Sequence, residues 1–161
     1  MNARVISSVL GVVMMVSNAA PLAVTVQKGA LTVEFPNEPQ TAEAVDETNL
    51  GEVARFAAVS VTPTCDYALF VHSYSPQIVA LLGKTSLLGK TVQQSVATHR
   101  ARVERMRRAE RKGVEVIEMD FAVQADKSTG RARFLQVEHQ VYEVSTLCEE
   151  GSQPDADFFG T

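Results

Sequence analysis

The segment Leu88-Gly89-Lys90-Thr91-Val92-Gln93-Gln94-Ser95-Val96-Ala97-Thr98-His99-Arg100-Ala101-Arg102-Val103-Glu104-Arg105-Met106 sets the expectation for the fold. Leu88, Val92, Val96, His99, Val103 and Met106 recur at spacings of four, four, three, four and three. That spacing puts them on one face of a 3.6-residue helix. Gly113, directly after Arg111-Lys112, is a good C-terminal stop. The reading is one long helix that ends near Gly113. A weaker apolar run, Ile78 to Leu82, reads as a short preceding helix broken near Gly83.

On both sides of this helix the period is two. Leu31, Val33 and Phe35 alternate with Thr32 and Glu34, which predicts a half-buried strand stopped by Pro36. Gln40 to Glu52 is polar and acidic and reads as a surface loop. Strands are expected over Ala54 to Thr62 and Tyr67 to Tyr74, with Cys65-Asp66 in or near the turn between them. After the helix come Val114 to Val123, with a slip in alternation at Val116-Ile117 that suggests a bulge, then Arg133 to Val137 and Val141 to Leu147. Asp126 to Gly130 is a hairpin loop. Strands, a long helix and a strand meander describe an α+β domain with one core. That core is expected from Leu31, Val33, Phe35, Phe56, Leu69, Val71, Val92, Val96, Val103, Met119, Phe121, Phe134, Val141 and Val144.

The first residues speak to location. Arg4 precedes the apolar run Val5 to Val16, and Ser17-Asn18-Ala19-Ala20 supplies small residues. That order is a secretory signal peptide, cut after Ala19. The division expected is a signal peptide over 1–19, a lead-in over 20–29 and a single domain over 30–161. Export places the protein in the periplasm or outside the cell, with no stable membrane span after cleavage. Cys65 and Cys148 are the only cysteines. In an oxidising compartment such a pair most often forms a disulfide; the alternative is two separate buried thiols. The chain of 161 residues carries a net charge of −4, which argues against general nucleic-acid binding.

Several short patterns resemble the PsbP-like domain family, named for the extrinsic P protein of the photosystem II oxygen-evolving complex. They are Val33-Glu34-Phe35-Pro36 with Glu38-Pro39, the Tyr67 to Pro76 stretch ending in Tyr74-Ser75-Pro76, and Gly113 opening a strand. Gly130-Arg131-Ala132-Arg133-Phe134, Val141-Tyr142-Glu143-Val144 and Asp157-Phe158-Phe159 complete the set. The resemblance implies a central antiparallel sheet with a long helix packed on one face, the PsbP-like sandwich. It also implies an exported, non-catalytic domain that docks on other components. Arg100 to Lys112 is more basic than that family leads one to expect, so photosystem binding is not carried over.

Motifs for chemistry are sparse. Gly83-Lys84-Thr85 and Gly89-Lys90-Thr91 evoke a phosphate loop, but the position six residues before each lysine holds Ile78 or Lys84, not glycine. His72, His99 and His139 have no partner at metal-ligand spacing, and no CxxC is present. There is no GxSxG elbow. No catalytic residue, metal or cofactor is therefore assigned.

One run stands out. Arg100, Arg102, Arg105, Arg107, Arg108, Arg111 and Lys112 face only Glu104 and Glu110. On a helix they form a candidate surface for an anionic partner: phospholipid headgroups, acidic polysaccharide or an acidic protein. The competing reading is a solvated helix end whose cations complement the dipole and pair locally. The expected function is an exported binding and assembly domain, docking on a protein or an anionic envelope component. A carrier or sensor of a small ligand held between sheet and helix is the second reading, to be favoured by a contiguous apolar pocket with converging polar groups. An unrecognised hydrolase, with a serine or cysteine beside a histidine in one cleft, is the third.

Overall fold

The computed structural model describes residues 23–155 and 158–159. The signal peptide expected over 1–19 lies outside the described residues.

The chain runs β1 (Val24–Lys28), β2 (Leu31–Phe35), β3 (Gln40–Thr48), β4 (Gly51–Val61), β5 (Cys65–Tyr74), α1 (Pro76–Leu82), α2 (Lys84–His99), β6 (Arg102–Arg111), β7 (Val114–Val123), β8 (Ser128–Val137) and β9 (Gln140–Glu149). Seven strands make one antiparallel sheet in the order β3-β4-β5-β9-β8-β7-β6, and β1 and β2 make a separate hairpin. Two meanders, β3 to β5 and β6 to β9, meet where β5 pairs β9.

Each face of the sheet has its own apolar layer. Leu87, Leu88 and Val92 of α2 pack with Met119, Phe121 and Phe134 on one face. Val33 and Phe35 of the hairpin pack with Leu69, Val71 and Tyr142 on the other. Strand β9 lies between the two layers, so every residue from Val141 to Thr146 is buried.

The protein is thus mostly antiparallel β, and the α+β fold built around a long helix is corrected. Among the described residues, its helices span 7 and 16 residues. The second stops at His99 because Arg100 turns left-handed (φ 49°, ψ 40°). The Arg100 amide then donates to the Ala97 carbonyl and the Ala101 amide to Val96, which is the Schellman closure without its usual glycine. Beyond it the chain becomes β6, paired to β7 through a bulge between Val103 and Arg105. That extra residue keeps Val103 and Met106, three apart, opposite Phe121 and Met119 on one strand face. A bulged strand had imitated a helical stripe. Val103, expected in the core, is 37% exposed, and Met106 beside it is 46% exposed.

Three local expectations are also corrected. Gly113 does not end a helix; with Lys112 (φ 53° and 78°) it makes the two-residue turn between β6 and β7. The segment read as a loop over Gln40 to Glu52 forms the acidic edge strand β3 and the turn into β4. The β7–β8 register runs unbroken through Val116 and Ile117, so no bulge sits there. Both side chains are buried because the sheet is covered on both faces.

Candidate functional site

Helix α2 leaves a cleft of about 320 Å³ between itself and strands β3, β4, β5 and β9. Small side chains create the space. Ala42 and Ala57 are cross-strand partners on β3 and β4, Ala44 lies beside them, and Phe70 of β5 completes an apolar floor. The roof is the Thr91, Ser95, Thr98 and His99 edge of α2. These residues fall at helical spacing next to the Leu88-Val92 stripe that enters the core, so α2 carries two faces at once.

Glu143, on the central strand β9, opens into this cleft and is only 5% exposed. The Ser95 hydroxyl donates to its Oε1 at 2.8 Å, and Ser145 also hydrogen-bonds the carboxyl. Burial pushes this carboxyl up to about 7, against the partial opposition of the two serines. His72 reaches the cleft from β5 and stacks against Tyr74 with ring centres 6.4 Å apart. Burial lowers the pKa of His72, and the Arg55 charge lowers it further while Asp46 opposes. His99 closes the other end against Phe121, with ring centres 6.3 Å apart, and burial lowers its pKa as well. Arg55 lies at the rim, 2.8 Å from Asp46. The arrangement can hold an apolar body on the floor and fix one polar group at Glu143.

The basic run is placed differently from the helical patch expected. Arg102, Arg105, Arg107, Arg108 and Arg111 lie along the edge strand β6, Arg100 caps α2, and Lys112 sits in the β6–β7 turn. Arg102 pairs with Glu104 at 2.8 Å and Arg108 with Glu115 at 2.8 Å. Glu118 gathers three guanidiniums: Arg107, Arg111 at 3.1 Å and Arg133 at 3.2 Å. Burial alone would raise the Glu118 carboxyl, but the Arg107 hydrogen bond and the Arg107, Arg133 and Arg111 charges outweigh it and hold it below the usual range. Four of the seven sequence candidates thus face carboxylates of this chain, on two faces of one strand.

Cys65 and Cys148 form a disulfide across directly opposed positions of β5 and β9, Cα to Cα 4.1 Å. Of the histidines, His72 and His99 border the cleft, while His139 sits in the β8–β9 turn. Gly89-Lys90-Thr91 lies inside α2, where the Thr91 hydroxyl donates to the Leu87 carbonyl at 3.0 Å. Sequence reasoning passed over Glu143 and Ser95. The available signals were a lone carboxylate within the apolar run from Val141 to Val144 and the Thr91-Ser95-Thr98 spacing.

No family model matches the chain, and no curated protein sequence matches it either. Among solved structures, the chain is similar to the crystal structure of PA94, a Pseudomonas aeruginosa protein of unknown function, at 10% identity and a TM-score of 0.39. That match covers 80% of this chain and 83% of the other, and a likeness this loose carries no argument about function.

Proposed function

We propose that this protein is an exported carrier or sensor of a small ligand, bound between α2 and the sheet, and that it works by binding and not by catalysis. The observation that carries the reading is the apolar floor of Ala42, Ala44, Ala57 and Phe70 with Glu143, Ser95 and His72 converging on it. Pockets of this composition bind small molecules through their apolar surface and orient them with a few polar groups. The Cys65–Cys148 disulfide supports an oxidising compartment, in agreement with the N-terminal leader pattern. The hydrolase reading is less well supported, because the Ser95 hydroxyl is engaged by Glu143. Docking through the basic run is likewise less well supported, since Arg102, Arg107, Arg108 and Arg111 already have carboxylate partners.

The test is recovery of a bound molecule. Wild type and Ala57→Trp, which fills the floor, are purified from the native host, denatured, and the released small molecules identified by mass spectrometry. Wild type releases a compound that the variant does not. Equal recovery from both removes the reading.

A further inference from the structure

Resting on the cleft reading above, we infer that the ligand carries a protonated amine on an apolar body, with the amine held by Glu143. The charge inventory around that carboxyl points one way. From β3, Glu43 also lines the cleft and is paired to Lys28 of β1 at 2.6 Å, and from β4, Arg55 reaches the rim but is paired to Asp46 of β3 at 2.8 Å. From β5, His72 lines the cleft, and from α2, His99; burial disfavours the imidazolium form of both. On β8 the residue opposite Glu143 is Phe134, which carries no charge. Among the described residues, the carboxyl lies in a largely apolar cleft and receives only hydroxyl donors.

Three ligand classes can be weighed against this site. An anion would be brought beside a carboxylate at low dielectric, where like-charge repulsion is strong. A neutral ligand would either meet the protonated acid through an uncharged hydrogen bond or leave the ionised carboxylate buried without a counter-charge. An ammonium would satisfy it with a charge-assisted hydrogen bond, the stronger kind. A carboxylate offers about four acceptor sites, and the two serine hydroxyls leave capacity for another donor. The floor fixes the rest of the molecule. An apolar cavity of roughly 150 Å³ holds one benzene ring, so 320 Å³ suits a ring with a short amine-bearing chain or a fused pair of rings.

The experiment uses the disulfide-bonded protein and three probes that share a phenylethyl group, measured by calorimetry at pH 8: 2-phenylethylamine, 2-phenylethanol and 3-phenylpropanoate. The amine is expected to bind at least about tenfold tighter than the alcohol, with the carboxylate weakest. In E143Q the amine falls to the affinity of the alcohol, and continued binding of both reports an intact cleft. In wild type the amine weakens about tenfold from pH 8 to pH 6 as the carboxyl takes up its proton. That pH series decides the matter should E143Q lose the alcohol as well. Equal binding of all three probes, preference for the carboxylate, an E143Q that keeps its amine preference, or an amine affinity independent of pH overturns the inference and leaves the cleft reading standing. Failure of every probe to bind at millimolar concentration removes both.

Discussion

The Ser95 hydroxyl and the Glu143 carboxyl, 2.8 Å apart, tie helix α2 to the central strand across a separation of 48 residues. This is a polar contact beside the apolar layer of Leu88, Val92, Met119, Phe121 and Phe134. Placing a carboxyl there is unfavourable unless it is partnered, and two hydroxyls provide only part of what water would. The cleft beside it is what the remaining capacity faces.

That acid makes stability depend on pH. The folded value of about 7 lies above the ordinary 4.5, so the folded state binds an extra proton between those limits. The associated stability is fully present below pH 4.5 and is lost as pH rises to about 7. At about 1.4 kcal/mol per unit, the loss approaches roughly 3 kcal/mol. E143Q should therefore gain up to about 3 kcal/mol on wild type between pH 5 and pH 8 in urea unfolding. His72 and His99 act in the opposite sense, losing stability as pH falls below 6.5, but both proteins share that contribution. A stability difference between the two proteins that is flat with pH would contradict this assignment.

Gly130 in β8 lies under the ring of Phe121. A Cβ there would come within 2.6 Å of Phe121 Cε2 and 2.7 Å of the Thr146 carbonyl oxygen. The ring could move, but the backbone oxygen of the adjacent strand cannot do so without breaking the ladder. Gly130→Ala is expected to lower stability by about 1–3 kcal/mol. An unchanged urea midpoint would show that β8 and β9 separate freely at this point.

The disulfide joins residues 83 apart. Closing a loop of that length restricts the unfolded chain strongly, and both sulfurs are buried. Replacing both cysteines, Cys65→Ala with Cys148→Ala, should cost about 2–5 kcal/mol. Calorimetry of the oxidised protein and the double variant checks this; coincident melting curves would mean the sheet alone holds β5 to β9.

The arginines of β6 are expected to be structural. A double charge reversal, Arg105→Glu with Arg108→Glu, should leave behaviour on anionic phospholipid vesicles unchanged at physiological salt. Co-sedimentation measures it. Retention of wild type that the double variant loses would restore docking through this strand.

Much of the strand content was legible because alternation needs only local sequence. The β2, β5, β7 and β9 strands lie where Val33, Leu69, Phe121 and Val144 alternate or run together. The position of the long helix was not. Helix and bulged strand can share a three-residue spacing, and no glycine or proline marks the left-handed turn at Arg100. The acidic edge strand β3 was missed for a related reason: an edge with both faces exposed has no hydrophobic alternation to read.

By itself the sequence determined most of the alternating strands and which two cysteines were available to pair, because each depends on neighbours in the chain or on composition. Only tertiary structure decided that Arg102 to Arg111 is an edge strand answered by Glu115 and Glu118, and that Cys65 meets Cys148 across β5 and β9. It also decided that Glu143 is a buried acid facing a cleft. Burial and charge pairing are set by residues distant in sequence, and the register of the sheet brings those residues together.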